Sequence, residues 1–218
     1  MVKSAEPRLN LGIVLIAALL TDVVLWLLVI LGFEAILAPQ SAGSARFFSF
    51  VFPYSHSLVA SLIWSGLFAY AVSRAWPCSM SGRGRAAALV FAAVFSHFLL
   101  DLIVHVPDLP LAGADSLALG LGLWRHMPIA LGLELTLAAA ALWGYLRLGK
   151  PAPGRKLTVG ALVVLAGLLT VAGPYAPGEL PPLAFVAASS LVALSVVVAA
   201  GFAMEGTVAV TSCKDLAF

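Results

Sequence analysis

The feature that most constrains this chain is a series of six apolar segments, each long enough to cross a lipid bilayer as a helix. A helix needs about 20 apolar residues to span the hydrocarbon core. Helices are the expected spanning form because a lone strand leaves its backbone polar groups without partners in lipid. The pattern predicts spans at residues 11–38, 49–72, 86–106, 117–145, 157–174 and 182–204.

The composition supports a membrane protein and excludes an ordinary soluble domain. Of 218 residues, 62% are hydrophobic and 10% are charged, whereas soluble domains carry about 25% charged residues. We therefore expect an all-α, polytopic membrane bundle in one domain, residues 1–218, with the lipid bilayer as its surroundings. Residues 11–145 would form a four-helix functional core and residues 157–204 two scaffold helices. A net charge of +2 without a basic run that contains aromatic residues excludes nucleic acid as a partner.

Basic residues are concentrated on one side of the predicted bundle. The other side has Arg46 alone in its loops. Because basic loops stay in the cytoplasm, this asymmetry predicts cytoplasmic N and C termini, in the inner (plasma) membrane of a bacterium. It also places Cys78 and Cys213 in a reducing compartment, where no disulfide is expected. The basic side carries Lys3, Arg8, Arg74, Arg83, Arg85, Arg147, Lys150, Arg155, Lys156 and Lys214.

Ionisable residues lie inside or at the ends of the first four predicted spans. Such groups are costly in lipid and usually face the bundle interior, so each is a functional candidate. His97, Asp101 and His105 recur at every fourth residue and therefore share one helix face. Glu34 is expected to extend to the outer membrane boundary without a chemical role. The complete set is Asp22, Glu34, His56, His97, Asp101, His105, Arg125, His126 and Glu134.

Four of these residues form a candidate metal site. Facing helices of a bundle can supply imidazole and carboxylate ligands to one ion. Their donor types suit a divalent metal, with zinc first and iron or manganese as alternatives. Two other interpretations are separate hydrogen bonds between helices and haem ligation, which the carboxylate one turn from His97 disfavours. The four candidates are Asp22, His56, His97 and Asp101.

Two short segments resemble the signatures of a known family. Residues 54–58, Y-S-H-S-L, and 96–101, S-H-F-L-L-D, resemble the T-H-S and H-x-x-x-D signatures of the YdjM-like bacterial membrane-bound, metal-dependent hydrolases. Residues 105–111 and 120–124 also resemble an adjacent branch of small bacterial membrane proteins. The resemblance implies that Asp22, His56, His97 and Asp101 are metal ligands. This chain departs from the family at the first acid, where Pro-Asp-x-Asp is replaced by T-D-V-V, and before T-H-S, where Arg-Gly is missing.

Hydrolysis is the reaction class that such a metal supports, because a bound ion activates water and polarises a carbonyl or phosphoryl oxygen. We expect a lipid-derived or amphipathic substrate that arrives from the outer half of the membrane. His105 is a candidate proton shuttle or further ligand. Asp108 either orients His105 or caps a turn. Glu134 is a candidate general base or ion-pair partner.

Arg125 and His126 are the candidate substrate-binding residues. They lie near the start of the fourth predicted span, at a depth in the membrane similar to that of the four metal-ligand candidates. A guanidinium there would bind a phosphate or carboxylate of the substrate. The alternative is that Arg125 neutralises Asp101 or Glu134.

Two other functions would use the same polar residues. A permease or ion-coupled carrier would bind protons or a cation with its buried acids and histidines, although the sequence shows no internal repeat. A non-catalytic accessory subunit would use the cluster to hold helices together. In that case a complex partner, or another copy in a homo-oligomer, would cover the scaffold helices.

Overall fold

The computed structural model describes residues 9–37, 39–75, 80–149, 151–177 and 181–205. This part of the chain contains six helices that are long and apolar enough to cross a membrane, which confirms the predicted all-α architecture of a multi-pass membrane protein. The termini, both cysteines and the basic residues Lys3, Arg8, Lys150 and Lys214 lie outside the described residues, so the cytoplasmic side remains a prediction. The helices are α1 (Leu11–Ile30), α2 (Leu58–Ala75), α3 (Met80–Val104), α4 (Met127–Leu148), α5 (Pro153–Ala172) and α6 (Leu183–Glu205).

Helix α1 packs against α2, α3 and α6, whereas α5 packs against α4. Two glycines bring α1 and α6 close together. A Cβ atom on Gly12 would lie 2.4 Å from the ring of Phe202, and one on Gly201 would lie 2.6 Å from the side chain of Leu15. Small residues allow membrane helices to approach closely and gain van der Waals contact. The last helix, predicted to be scaffold, therefore supports the helix that carries Asp22.

An apolar cluster joins α1, α2 and α3 on one side of the polar residues. Its buried members include Ala17, Ala69, Val90 and Val94. Asp22 follows Ala17 along α1, and His97 follows Val94 along α3. The same helix packing that buries the cluster therefore carries the polar residues to a common level.

Three small antiparallel sheets lie at the end of the bundle where α1 joins α2 and α3 joins α4. Strand β1 (Ala35–Ile36) pairs with β4 (Phe50–Val51), β2 (Gln40–Ala42) with β3 (Ala45–Phe47), and β5 (Leu109–Pro110) with β6 (Ala118–Leu119). Gly43, with φ +63°, opens the two-residue loop between β2 and β3. We refer to this region, residues 31–57 and 105–126, as the hairpin end.

The first helix ends earlier than the predicted span at residues 11–38. Gly32 has φ +78°, the left-handed conformation that glycine adopts without steric cost. The Phe33 N–H donates to the carbonyl of Leu28 (2.9 Å), and the Gly32 N–H donates to that of Val29 (3.1 Å). This pair of bonds is the Schellman motif, which satisfies the last carbonyls of a helix. The apolar residues after Gly32 belong to the hairpin end.

Two other predicted spans begin too early. Helix α2 begins at Leu58 because the Ser57 hydroxyl accepts the Ala60 N–H at 3.1 Å and caps the helix. Residues 49–57 are therefore strand and turn, not span. In the fourth span, residues 117–122 precede a 3₁₀ turn (Leu123–His126), and α4 begins only at Met127. The other three predicted spans overlap α3, α5 and α6.

Candidate metal centre

Four side chains from three parts of the chain converge inside the bundle. His56 Nε2 lies 3.5 Å from Asp22 Oδ1 and 3.7 Å from Asp101 Oδ2. His97 Nε2 lies 3.5 Å from Asp22 Oδ1 and 3.3 Å from Asp101 Oδ2. Asp22, His56 and His97 offer ligand atoms within 4.8 Å of one another, so this group could hold a metal ion. Asp101 adds a carboxylate oxygen beside both imidazole nitrogens.

The separations match a shared ion better than direct hydrogen bonds. Charge-assisted N–H···O bonds measure about 2.7–2.9 Å, whereas the four contacts measure 3.3–3.7 Å. A tetrahedral ion about 2.1 Å from each nitrogen and oxygen would hold neighbouring ligand atoms about 3.4 Å apart. Each of the four nitrogen–oxygen separations is close to this value, although Asp101 lies outside the group of Asp22, His56 and His97 whose ligand atoms are all within 4.8 Å of one another.

The backbone of α1 orients the ring of His97. Its Nδ1 lies 2.8 Å from the carbonyl oxygen of Ala18, one turn before Asp22. A carbonyl can only accept a hydrogen bond, so Nδ1 carries the proton and the neutral ring keeps a lone pair on Nε2. Ligating histidines are commonly fixed in this way by a hydrogen bond at the second ring nitrogen. His97 therefore presents a ligand atom to the centre.

A buried relay from Glu34 through Ser55 orients His56 in the same way. The Ser55 hydroxyl donates to Glu34 Oε2 at 2.7 Å, so its oxygen accepts the proton of His56 Nδ1 at 2.8 Å. Glu34 Oε1 also accepts the backbone N–H groups of Tyr54 (2.8 Å) and Ser55 (2.9 Å). The lone pair of His56 Nε2 consequently faces the centre.

The prediction that Glu34 extends to the outer membrane boundary is wrong, because the side chain is only 4% exposed. Helix α1 stops at Gly32, and the chain then turns back so that the carboxylate lies under residues 54–55. Sequence reasoning missed this residue because its partners lie 20 and 21 positions away. The one local signal was a glycine shortly before an acid inside an apolar segment.

The ligand atoms at the centre together favour the binding of a cation. With protons on both Nδ1 atoms, the centre contains two imidazole lone pairs and two carboxylates. Asp101 Oδ2 is buried and has no hydrogen-bond donor among the described residues. Buried polar atoms are almost always paired, because an unpaired one loses its hydration without replacement. Two imidazoles and two carboxylates suit zinc, iron or manganese, so the residues fit a divalent metal.

His105 belongs to a separate aromatic cluster at the hairpin end. Its ring centroid lies 4.1 Å from that of Trp124 and 5.5 Å from that of Phe52. Phe52 also stacks on His56, with centroids 4.9 Å apart, and so packs against both imidazoles. This geometry disfavours the ligand role and leaves the shuttle role as a prediction.

Asp108 orients His105, which is one of its two predicted roles. Asp108 Oδ1 lies 2.9 Å from His105 Nδ1, and Oδ2 accepts the Phe50 N–H at 3.4 Å. The carboxylate thus connects the end of α3 with strand β4. With Nδ1 as the donor, the neutral ring of His105 keeps its basic lone pair on Nε2.

The other three predicted site residues are not among the four side chains that converge at the centre. Arg125 and His126 are exposed in the 3₁₀ turn before α4. Arg125 forms no ion pair with Asp101 or Glu134 in the part of the chain that the structure describes. Glu134 is half-buried in α4, beside the Trp124 side chain and within electrostatic range of Asp101.

Gly120 allows the loop before α4 to lie against the end of α3. It has φ +144°, and a Cβ atom there would lie 2.3 Å from the Val106 carbonyl oxygen. We expect Gly120→Ala to destabilise the protein by about 2 kcal/mol, because backbone strain adds to the clash. Thermal unfolding in detergent measures the effect. Gly132→Ala is the control, since nothing lies within 4 Å of its Cβ position; equal melting temperatures for the two variants would contradict the prediction.

Comparison with known proteins gives no assignment for the chain. No protein-family model, curated protein or solved structure matches it. The chemical interpretation of the centre therefore depends on its donor set and geometry.

Proposed function

We propose that this protein is an integral membrane hydrolase whose metal is held by Asp22, His56, His97 and Asp101. The observation that carries the proposal is the convergence of two inward-facing imidazole nitrogens and two carboxylates, one of which has a buried, unpartnered oxygen. A divalent ion there supplies activated water and polarises a carbonyl or phosphoryl oxygen. Zinc is the first candidate because imidazole and carboxylate are among its usual ligands, and iron or manganese accept the same donors. The motif resemblance to YdjM-like hydrolases supports the same function.

The proposed reaction is hydrolysis of an ester or phosphate ester in a lipid-derived or amphipathic substrate. The oxygen of water bonds to the acyl carbon or phosphorus, the bond to the leaving group breaks, and a proton of water passes to the leaving group. Glu34 acts on this chemistry through Ser55 by keeping His56 Nε2 free of a proton. His105, held by Asp108, is the candidate proton carrier.

We also propose that the hairpin end faces the outside of a bacterial inner membrane. The described basic residues lie in the helix ends on the opposite side of the bundle, and the positive-inside rule assigns that side to the cytoplasm. A substrate would then enter from the outer half of the bilayer. The described residues at the basic end are Arg74, Arg83, Arg85, Arg147, Arg155 and Lys156.

The test is hydrolysis by the purified protein in lipid nanodiscs. Nitrophenyl esters and phosphate esters of increasing chain length serve as probes, with metal content measured on the same samples. We expect about one metal per chain, loss of hydrolysis in a strong chelator, and recovery with zinc, manganese or iron. A wild-type protein that holds no stoichiometric metal after supplementation would refute the proposal. Proton-coupled uptake that Asp22→Asn abolishes without loss of metal would favour a carrier instead.

A further inference from the structure

A cavity of about 580 Å³ lies between α1, the hairpin end, α4 and α5. Its walls are mostly aromatic and aliphatic, with Trp26 from α1, Phe47 and Phe50 from the hairpins, Leu131 from α4 and Leu169 from α5. This volume falls in the range of about 300–1,000 Å³ that is usual for small-molecule sites. Apolar walls of this kind fit a hydrocarbon chain. Helix α5, predicted to be scaffold, contributes one wall.

Two charged residues of opposite sign also line the cavity. Glu134 lines it from α4, together with Trp124 of the 3₁₀ turn. Arg46 reaches it from β3 and donates a hydrogen bond to the carbonyl of Ala176. Glu134 lies within a spanning helix, where a charged group is costly and usually marks a functional site. A guanidinium and a carboxylate in one cavity complement a head group that carries both a negative and a positive charge.

The cavity lies next to the metal centre. Trp26, in its wall, is four residues after Asp22 and therefore on the same face of α1. Phe50 and Trp124, also in the wall, pack against His105, which is four residues after Asp101. Trp26 and His105 therefore lie about one helical turn, roughly 5.4 Å along their helices, beyond the two carboxylates. The cavity wall thus adjoins side chains that follow the centre by one turn.

We infer that this cavity binds a single-chain zwitterionic amphiphile, with its chain against the aromatic wall and its head between Arg46 and Glu134. The apolar walls, the volume and the pair of opposite charges carry the inference. The further step, that this amphiphile is the substrate, rests on the proposed hydrolase function. Binding itself needs no metal.

Tryptophan fluorescence tests the inference, because Trp26 and Trp124 line the cavity whereas Trp143 is 64% exposed on α4. The probe is lysophosphatidylcholine with a brominated chain, added to nanodiscs of saturated phosphatidylcholine. We expect a quenching component that saturates at low mole fraction. It should be absent from the double variant Trp26→Phe/Trp124→Phe and retained in Trp143→Phe. Quenching that rises only linearly with mole fraction in the wild type would overturn the inference.

Two matched variants on α5 compare a residue that lines the cavity with a residue on the exposed surface. Thr170 lines the cavity, and Leu168 is 64% exposed. We expect Thr170→Phe to weaken saturable binding at least tenfold and Leu168→Phe to leave it unchanged. Equal binding by the two variants would overturn the inference.

Glu134→Gln should remove the preference for the zwitterionic probe over a brominated fatty acid, and an unchanged preference would refute the assigned head-group site.

Measuring the same quenching after metal removal makes the binding test independent of the proposed hydrolase function. Chelated wild-type protein should retain saturable quenching, because the cavity wall contains none of the four ligands. Loss of quenching on chelation would contradict metal-independent binding. A wild type that holds no stoichiometric metal after supplementation but still binds the probe would refute the hydrolase and leave the cavity inference intact.

Discussion

Purified His97→Ala protein is expected to contain almost no bound metal. A four-ligand zinc site provides about 10–16 kcal/mol, so one ligand contributes roughly 3 kcal/mol, or about a 100-fold change in affinity. Asp101→Asn is expected to have a similar effect, because an amide lacks the charge of the carboxylate. Elemental analysis and competition with a coloured chelator measure the two losses.

Asp101→Asn also shows whether metal is lost because a ligand is missing or because the protein unfolds. The new amide group can donate to an imidazole Nε2 where the wild-type Asp101 Oδ2 has no donor among the described residues. We therefore expect its melting temperature to match that of the metal-free wild type. His126→Ala is the control for metal content, since His126 is exposed outside the centre. A full equivalent of metal in both His97→Ala and Asp101→Asn would refute the four-ligand site.

Glu34→Gln is expected to weaken metal binding about 10- to 100-fold, the usual effect of losing a residue that orients a ligand. Glutamine can still accept the N–H groups of Tyr54 and Ser55 through its Oε1 atom. Its amide nitrogen, however, replaces the oxygen that accepts the Ser55 hydroxyl. The amide would donate to Ser55, and the hydroxyl would turn to donate to His56 Nδ1. The proton of His56 then moves to Nε2, where it faces the metal.

Chelator competition measures the affinity of Glu34→Gln, and ¹⁵N NMR of the imidazole reports the tautomer of His56. Glu134→Gln is the matched control, because the same substitution outside the centre leaves the relay intact. Glu34→Ala should additionally lower stability by about 1–3 kcal/mol, since it leaves buried donors without an acceptor. Unchanged metal affinity in Glu34→Gln would contradict the relay.

The parts of the centre that follow from helix periodicity were predictable from the sequence. His97 and Asp101 are four residues apart, and a helix through both must place them on one face. The structure has their side chains 3.3 Å apart. Asp22 and His56 were predicted to meet them because polar groups avoid lipid and because the motif resemblance implies a shared metal, and the structure brings all four together. The six helices followed from the length of the apolar segments.

The hairpin end could not be recognised in this way. Residues such as Ile36, Phe47 and Phe52 pack under short strands and are as apolar as residues that face lipid. A hydropathy pattern therefore continues through them without a break. Gly32 was the informative residue, because a left-handed glycine ends a helix irrespective of the residues after it. The relay from Glu34 and the cavity wall from α5 depend on contacts between distant parts of the chain, which no local pattern contains.

The contact of α1 with α6 through Gly12 and Gly201 bears on the order of assembly during biosynthesis. A ribosome makes α1 first among the six helices and α6 last. All four proposed ligands lie between Asp22 and Asp101, so they leave the ribosome before α6 exists. The nascent protein can therefore acquire its ion while one flank of α1 is still open, and insertion of α6 then closes that flank.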